Sequence, residues 1–205
     1  MEGRSKHYDG SMSLRILAFS GSLREKSFNK KLLQIAVEAA RSAGAEVEVL
    51  DLRDFEAPIY DGDREEREGI PPKILEFTEL VHAADGLLIS CPEHNGAVTA
   101  ALKNTLDWAS RDRKGPEEKF CFDGKLVGLL GATPGRLGAA RGLANLEVIL
   151  KNIGATVIET QMGLAKAHDA FDENGHLRDS EQDQQTQQLG IDLVRALEEA
   201  LAQPE

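Results

Sequence analysis

Short apolar segments alternate with helical patterns along most of this chain, and this alternation limits the possible folds more than any other feature. Most of the segments are continuously apolar, which is typical of parallel strands that helices cover on both faces. Strands are predicted at Leu14 to Phe19, Val47 to Leu50, Gly86 to Ser90, Lys125 to Leu130 and Thr156 to about Ile158.

A helical period follows each predicted strand, so the chain consists of five βα units. Helices are predicted over 28–43, from Pro71 or Pro72 to about Ala83, and over 97–110, 137–153 and 180–202. Right-handed crossovers between such units give a doubly wound α/β sandwich of three layers, predicted here as one domain over 14–203. Polar, irregular loops are predicted at 60–69, 111–123 and 163–179.

Composition excludes several classes of partner. The net charge of −11 over 205 residues disfavours nucleic acid and anionic membranes, both of which require basic patches. No segment approaches the roughly 20 apolar residues of a membrane span. Residues 1–13 resemble no signal peptide and are predicted to be a disordered tail or a foreign remnant. Cys91 and Cys121 fit neither a disulfide framework nor a zinc site, so a cytoplasmic location is expected.

The loop after the first strand, Ser20 to Asn29, is predicted to hold a phosphate. It joins a strand to a helix N-terminus, where backbone N–H groups and the helix dipole favour an anion. The Arg24 side chain can donate paired hydrogen bonds to phosphate oxygens, and hydroxyl and amide side chains can supply further donors. The alternative is that Ser27 only caps the helix and that Arg24 is a solvated surface charge. The predicted ligand-binding residues of this loop are Ser20, Ser22, Arg24, Ser27, Phe28 and Asn29.

Better-known phosphate motifs are absent from this loop. It contains only Gly21, whereas the dinucleotide fingerprint requires three spaced glycines. It has neither the Walker pattern nor a nucleophilic cysteine of the phosphatase kind.

The turn after the third strand is predicted to bring backbone donors close to a planar ligand. Pro92 ends the strand, and Asn95 and Gly96 tolerate a left-handed backbone. His94 is interpreted as a rim or interface residue, and Glu93 as either a ring contact or a member of an interface ion pair. Cys91 is interpreted as a small packing residue.

The helix after that turn carries an apolar stripe formed by Val98, Leu102, Leu106 and Ala109. Trp108 lies off this stripe, which favours a subunit interface over a cover provided by the 111–123 loop. Lys103 and Asp107 are spaced for a surface ion pair.

The loop after the fourth strand contains small and turn-forming residues that let a ring approach the backbone. Its predicted contacts are Ala132, Thr133, Pro134 and Gly135, although an ordinary strand–helix connection explains the same sequence. The candidates for a nicotinamide phosphate are Arg111, Arg113, Lys114 and Arg136.

These motifs resemble the NADPH-dependent FMN reductase family, which includes quinone and chromate reductases. The resemblance rests on Gly21-Ser22-Leu23-Arg24-x-x-Ser27-x-Asn29, on Pro92-Glu93-His94-Asn95-Gly96 with Leu102-Lys103-Asn104-x-x-Asp107-Trp108, and on the Gly131–Gly135 loop with Gly154-Ala155-x-Val157.

The resemblance implies a flavodoxin-like fold with strand order 2-1-3-4-5, non-covalent FMN, and NADPH or NADH as electron donor. It implies that Ser22, Arg24, Ser27 and Asn29 hold the phosphate and that residues 92–96 line the isoalloxazine ring. It also implies a homodimer or homotetramer. His94 replaces the tyrosine that is frequent in the family, and the third loop lacks paired glycines.

Three functions fit this sequence. The first is an NAD(P)H-dependent oxidoreductase that passes hydride through FMN to a quinone, a free flavin or another small oxidant. The second is a flavodoxin-type electron carrier, which the absence of an aromatic residue from the 92–96 turn disfavours. The third is a binding domain that retains only the fold.

Overall fold

The computed structural model describes residues 13–114 and 119–202. Residues 1–12 of the predicted tail lie outside this range, as do 115–118, 203–205 and the side chains of Arg113 and Lys114. The strands in chain order are β1 (Arg15–Ser20), β2 (Glu46–Asp51), β3 (Gly86–Ser90), β4 (Arg113–Lys114), β5 (Lys119–Phe120), β6 (Leu126–Ala132) and β7 (Thr156–Leu164). The helices are α1 (Phe28–Ser42), α2 (Gly62–Glu68), α3 (Pro72–Ala83), α4 (Ala100–Ala109), α5 (Ala140–Asn152), α6 (Ala167–Ala170) and α7 (Ser180–Ala202), with a 3₁₀ turn at Leu52–Phe55.

Five strands form one parallel sheet in the order β2-β1-β3-β6-β7. This is the predicted order, with the short antiparallel β4–β5 hairpin inserted between the third and fourth sheet strands. All five sheet strands point the same way, so the loops after β1, β3 and β6 meet at one edge, where doubly wound folds bind ligands.

Helices cover both faces of the sheet and create two apolar cores. Alternate strand residues face opposite cores, so Leu17 and Phe19 pack on one side and Ile16 and Ala18 on the other. The first core contains helices α3, α4 and α5, and the second contains α1 and α7. Helices α1 and α7 cross so closely that a Cβ at Gly190 would lie 2.2 Å from the Ala36 carbonyl oxygen.

Two predicted helices begin later than expected. Helix α4 begins at Ala100 instead of residue 97, because Asn95 and Gly96 have positive φ and the Thr99 hydroxyl caps the first turn. Helix α5 begins at Ala140 instead of residue 137, because Gly138 and Ala139 are also left-handed. Both delays lengthen loops at the carboxyl edge of the sheet.

The predicted irregular loops contain more regular structure than expected. Asp61 caps α2 by accepting from the Arg64 amide at 3.1 Å, so a short helix forms inside 60–69. Strand β7 continues to Leu164 instead of ending near Ile158. It is an edge strand and leaves polar residues such as Glu159 and Gln161 exposed, which hides it from a search for continuous apolar runs.

Trp108 is buried inside the chain, so the predicted interface role is wrong. The side chain is fully buried, and its indole Nε1 donates to the Pro58 carbonyl at 2.7 Å. The Tyr60 ring packs edge-on against it at a centroid distance of 5.0 Å. The segment after the 3₁₀ turn therefore covers this helix face, a long-range contact that the local pattern does not show.

Candidate functional site

The first loop of the site is shaped by its own hydroxyl groups. Ser20 Oγ accepts from the Ser22 amide at 3.2 Å, and Ser22 Oγ accepts from the Arg24 amide at 3.4 Å. Ser27 is the N-cap of α1, and its Oγ accepts from the amides of Asn29 and Lys30. These contacts turn the chain tightly between β1 and α1.

Several donors of this loop have no partner within the described residues. The amides of Glu25, Lys26 and Phe28 make no hydrogen bond to that part of the chain. Arg24 and Lys26 are exposed, and neither forms an ion pair with a described residue. Open amides and unpaired cations at a helix N-terminus are features that favour an anion.

The cations beside the loop have partners within the chain. Lys30 Nζ lies 2.6 Å from Asp51, and Arg53 binds the same carboxylate at 2.7 Å. Hydrogen bonds from Arg53 and Lys30 hold the pKa of Asp51 far below its ordinary value. Lys31 lies over the Phe171 ring, 5.5 Å from its centroid. Within the loop itself, Arg24 and Lys26 carry positive charge without an ion pair among the described residues.

Asn29 ties α1 to the sheet. Its Nδ2 donates to the Ala132 carbonyl at 2.8 Å, and its Oδ1 accepts from the Ala132 amide and the Ser90 hydroxyl. The side chain is buried and joins the carboxyl ends of β3 and β6. The sequence did not predict this role, and the phosphate contact expected of Asn29 stays a prediction.

The second loop contains a tight turn with the expected left-handed backbone. His94 and Ala97 exchange two backbone hydrogen bonds at 3.0 and 3.1 Å. Asn95 and Gly96 between them have φ values of 54° and 82°. The His94 side chain is exposed at this turn, in agreement with the rim position expected for it.

Glu93 is used inside the chain. Its carboxylate accepts four hydrogen bonds from Arg141 and Gly142 at the start of α5. It thus forms an ion pair, but with a residue of its own chain, and the predicted interface ion pair is wrong. Whether the backbone of Glu93 lines a ring stays a prediction.

The third loop is anchored to the end of β7. Thr133 exchanges backbone hydrogen bonds with Leu164 and Ala167, both at 3.0 Å, and the Gly135 carbonyl accepts from the Lys166 amide at 2.9 Å. A Cβ on Gly131 would lie 2.7 Å from the Cys91 carbonyl oxygen, so this loop and the second loop are packed against each other.

Direct hydrogen bonds bring the three loops together. The Gly21 amide donates to the Ser90 carbonyl, and the Cys91 amide donates to the Leu130 carbonyl, each at 2.8 Å. Thr99, which sequence reasoning missed, donates its hydroxyl to the Gly21 carbonyl at 2.7 Å. The predicted residues of the three loops therefore surround one edge of the sheet.

The four candidates for a nicotinamide phosphate differ in availability. Arg111 stacks on the Tyr60 ring at 5.4 Å and donates to the Asp107 carbonyl. The side chains of Arg113 and Lys114 lie outside the described residues. Arg136 is exposed and forms no ion pair with a described residue.

Neither cysteine is placed for redox chemistry. Burial, followed by the nearby Glu93 carboxylate, raises the pKa of the Cys91 thiol to about 12. Burial likewise raises the pKa of Cys121 to about 12. Both thiols stay protonated at neutral pH, which agrees with the packing role predicted for Cys91.

The Asn104 side chain explains part of the second motif. It donates to the carbonyls of Ala57 and Pro58 and accepts from the Tyr60 amide at 2.8 Å. Lys103 and Asp107 form the predicted surface pair at 2.7 Å. Asn104 thus fixes the segment 57–60 at the carboxyl edge of the sheet. In the sequence, only the presence of Asn104 in the family motif could have indicated this contact.

The fold defines a flavodoxin-like protein whose predicted phosphate loop lies at the carboxyl edge of its sheet. The family model of the NADPH-dependent FMN reductases matches residues 14–169, and the chain belongs to this family. Membership confirms the resemblance, the oxidoreductase class, and FMN and a reduced nicotinamide as the family's ligands.

Curated relatives agree with this assignment. An NAD(P)H-dependent FMN reductase of Pseudomonas aeruginosa is 35% identical over 167 residues, which cover 81% of this chain and 85% of the relative. The quinone reductase of Escherichia coli K12 is 34% identical over 149 residues, which cover 72% and 75% of the two chains.

Solved structures support the fold. FerB, a flavoenzyme NAD(P)H:(acceptor) oxidoreductase from Paracoccus denitrificans, matches with a TM-score of 0.75 at 24% identity, covering 91% of this chain and 98% of that one. A flavodoxin from the domain Archaea matches with a TM-score of 0.61 at 11% identity, covering 90% and 99%. Within the described residues, no helix is both long and apolar enough to cross a bilayer.

Proposed function

We propose that this protein is an NAD(P)H-dependent oxidoreductase that binds FMN and passes hydride from the nicotinamide to a quinone, a free flavin or another small oxidant. The observation that carries the proposal is the open N-terminus of α1, where Arg24 and amides without a partner among the described residues lie in a chain of net charge −11. Such a site attracts a phosphate dianion against the field of the whole protein.

The residues present fit an FMN phosphate. Arg24 provides a planar, bidentate cation, and the hydroxyls of Ser22 and Ser27 provide short, adaptable donors. The partner-free amides of Glu25, Lys26 and Phe28 add donors that can accompany a dianion. Ser20 and Asn29 hold the loop in shape through bonds to Ser22, Ser90 and Ala132.

The turn at His94–Ala97 suits the polar edge of a flavin. The amides of Asn95 and Gly96 bond to no described residue, and the left-handed backbone leaves them at the tip of the turn. Bound FMN supplies the hydride chemistry, which requires a stacked donor and acceptor more than an acid or base from the protein. The chain's contribution is to orient the ring and to leave one face accessible.

We infer that the ring face is open, because the tryptophan and the tyrosine among the described residues are engaged in contacts within the chain. Trp108 is fully buried, and Tyr60 packs on it while its hydroxyl donates to Glu65 at 2.8 Å. Neither can clamp a flavin as a carrier protein does. An open face lets a nicotinamide and then an oxidant occupy the same position, which favours the enzyme over the electron carrier.

Arg136 is proposed as the contact to the phosphates of NADPH or NADH, because it is exposed at the end of the third loop without an ion pair among the described residues.

A homodimer or homotetramer is proposed because two large apolar side chains are exposed: Leu137 (58%), just before α5, and Val148 (59%), on α5. Light scattering of the purified protein would measure the oligomeric state.

Two measurements test the proposed function. The absorbance spectrum of protein reconstituted with FMN and desalted should show bound flavin. Steady-state oxidation of NADPH and NADH should then depend on both the bound flavin and added benzoquinone or ferricyanide. Flavin binding without turnover with any acceptor would favour the carrier, and failure to bind flavin would favour the binding domain.

A further inference from the structure

Helix α5 begins without a cap from its own sequence. The residue before it, Ala139, is left-handed with φ of 59° and offers no side-chain acceptor to the first turn. The first amides of a helix need an acceptor when they are shielded from water. In α5, that acceptor comes from another loop.

The Glu93 carboxylate provides it. Oε2 accepts from the amides of Arg141 and Gly142, both at 3.1 Å. Oε1 accepts from Nε and Nη2 of Arg141 at 3.0 and 2.6 Å. One carboxylate from the second loop thus satisfies two amides of the α5 first turn and a guanidinium together.

Close packing surrounds this contact. A Cβ on Gly142 would lie 3.2 Å from the Glu93 Cβ, so the helix backbone approaches the loop directly. The Arg141 guanidinium lies against Gly96, with its Cζ 3.5 Å from the position of a Cβ there. Arg141 therefore contacts the turn both through the Glu93 carboxylate and at its tip.

The charges favour an ionised Glu93. Its side chain is only 7% exposed, whereas that of Arg141 is 62% exposed. Burial alone would raise the pKa of the Glu93 carboxyl, but hydrogen bonds from Gly142 and Arg141 outweigh it and hold the pKa below its ordinary value of 4.5. A fixed anion at the positive end of a helix is also stabilised by the dipole.

We propose that Glu93 is a positioning residue that caps α5 from the neighbouring loop and thereby fixes the 92–96 turn against the loop after β6. This inference rests on the proposed function, in which these two loops receive the flavin ring. Glu93 also closes the α5 N-terminus to other anions, so the phosphate is directed to α1.

Four variants test this role. Glu93→Ala removes the carboxylate and leaves space for a small anion, whereas Glu93→Gln fills the space with an amide whose NH₂ faces donors. Arg141→Ala removes the guanidinium but keeps both backbone amides. Glu147→Ala is the matched control, because Glu147 is on the same helix and its carboxylate binds Lys151 at 2.6 Å and Gln161 at 2.9 Å, away from the turn.

The first readout is thermal unfolding of the apoprotein with and without 0.2 M sodium formate, against equal ionic strength from sodium chloride. We expect Glu93→Ala to melt below wild type and to regain most of the loss in formate. Glu93→Gln should melt low in both salts. An apoprotein of Glu93→Ala that melts like wild type would overturn the cap.

The second readout is FMN affinity by fluorescence quenching, with the visible circular dichroism of bound FMN as a report on ring orientation. Loss of charged hydrogen bonds that hold the turn should weaken FMN binding about tenfold in Glu93→Ala and alter the dichroism, with recovery in formate. FMN affinity should fall less in Arg141→Ala than in Glu93→Ala, and Glu147→Ala should bind FMN as tightly as wild type.

The two proposals fail in different ways. Unchanged affinity and dichroism in Glu93→Ala, together with a formate-dependent melting point, would overturn the positioning role while the cap stands. Wild-type protein that binds no FMN would overturn the proposed function and the flavin role of Glu93, and the melting points would still decide the cap.

Discussion

The N-termini of α1 and α5 lie at the same edge of the sheet, yet the chain treats them in opposite ways. Ser27 caps α1 with a neutral hydroxyl, and nearby amides of the preceding loop have no partner in the described residues. Glu93 caps α5 with a carboxylate that also neutralises Arg141. The α1 end therefore keeps donors available for an external anion, whereas the α5 end has its acceptor within the chain.

The difference also supports the proposal that this acidic chain holds a phosphate at the α1 end. Acidic side chains occupy or neutralise the neighbouring positive groups, since Asp51 binds both Lys30 and Arg53. Arg24 and Lys26 stay unpaired within the described residues and mark the α1 end.

Removing the donors of the open end should have the largest effect. The double variant Arg24→Ala and Ser27→Ala loses a bidentate cation and a hydroxyl, so FMN affinity should fall at least about 100-fold, or roughly 3 kcal/mol. Fluorescence titration measures this loss. Arg195→Ala, which removes an exposed arginine on α7, is the control, and unchanged affinity in the double variant would refute the phosphate site.

The second-largest effect is expected when α1 receives a carboxylate cap like that of α5. Aspartate is as good an N-cap as serine, so Ser27→Asp should leave the free energy of unfolding of the apoprotein within about 0.5 kcal/mol of wild type. Repulsion between the new carboxylate and the phosphate should lower FMN affinity about 30-fold. Ser42→Asp adds the same charge in the last turn of α1 and should bind normally; equal affinity in both variants would show that the α1 end is not the phosphate site.

Opening the closed end should destabilise the protein itself. Glu93→Ala leaves two amides and a guanidinium without their acceptor, and urea unfolding of the apoprotein should show a loss of about 2 kcal/mol. Glu147→Ala, which breaks a more exposed pair on the same helix, should lose less than about 0.5 kcal/mol. A loss no larger than that of the control would contradict the cap.

The smallest expected effect is a pH dependence of the stabilisation that Glu93 provides. The folded pKa of Glu93 lies below its ordinary value of 4.5, so its stabilisation is present above about pH 4.5 and is lost as pH falls through the folded pKa. The gap in free energy of unfolding between wild type and Glu93→Gln should narrow toward zero below pH 4.5. Urea unfolding from pH 7 to 3 measures it, and a gap independent of pH would mean that the charge of Glu93 is not what stabilises α5.

Local sequence patterns predicted much of the fold. Continuous apolar runs located β1, β3 and β6 almost to the residue, because buried parallel strands exclude polar residues. The end of β7 was missed because an edge strand carries polar residues on its exposed face. The late starts of α4 and α5 depend on left-handed residues that include Ala139, which has no sequence preference for that conformation.

The site likewise has parts that the local sequence predicts and parts that depend on distant residues. The loop after β1 and its Ser27 cap could be located from the sequence, since their position between a strand and a helix is visible in the pattern, and the phosphate contacts of this loop stay a prediction. The partners of Asn29 and Glu93 could not, because they lie 103 and 48 residues away in the chain. The burial of Trp108 depends likewise on Pro58, 50 residues earlier.

Local sequence was enough to predict the alternation of strands and helices, the parallel sheet and the serine- and arginine-containing loop after β1, because hydrophobic period and local donor chemistry act over short distances. The contacts that tie Asn29 to the sheet, bury Trp108 and cap α5 with Glu93 are visible only in the folded chain. Those outcomes depend on which distant groups meet at one edge. Hydrogen bonding there is a competition among all the donors and acceptors that the fold brings together.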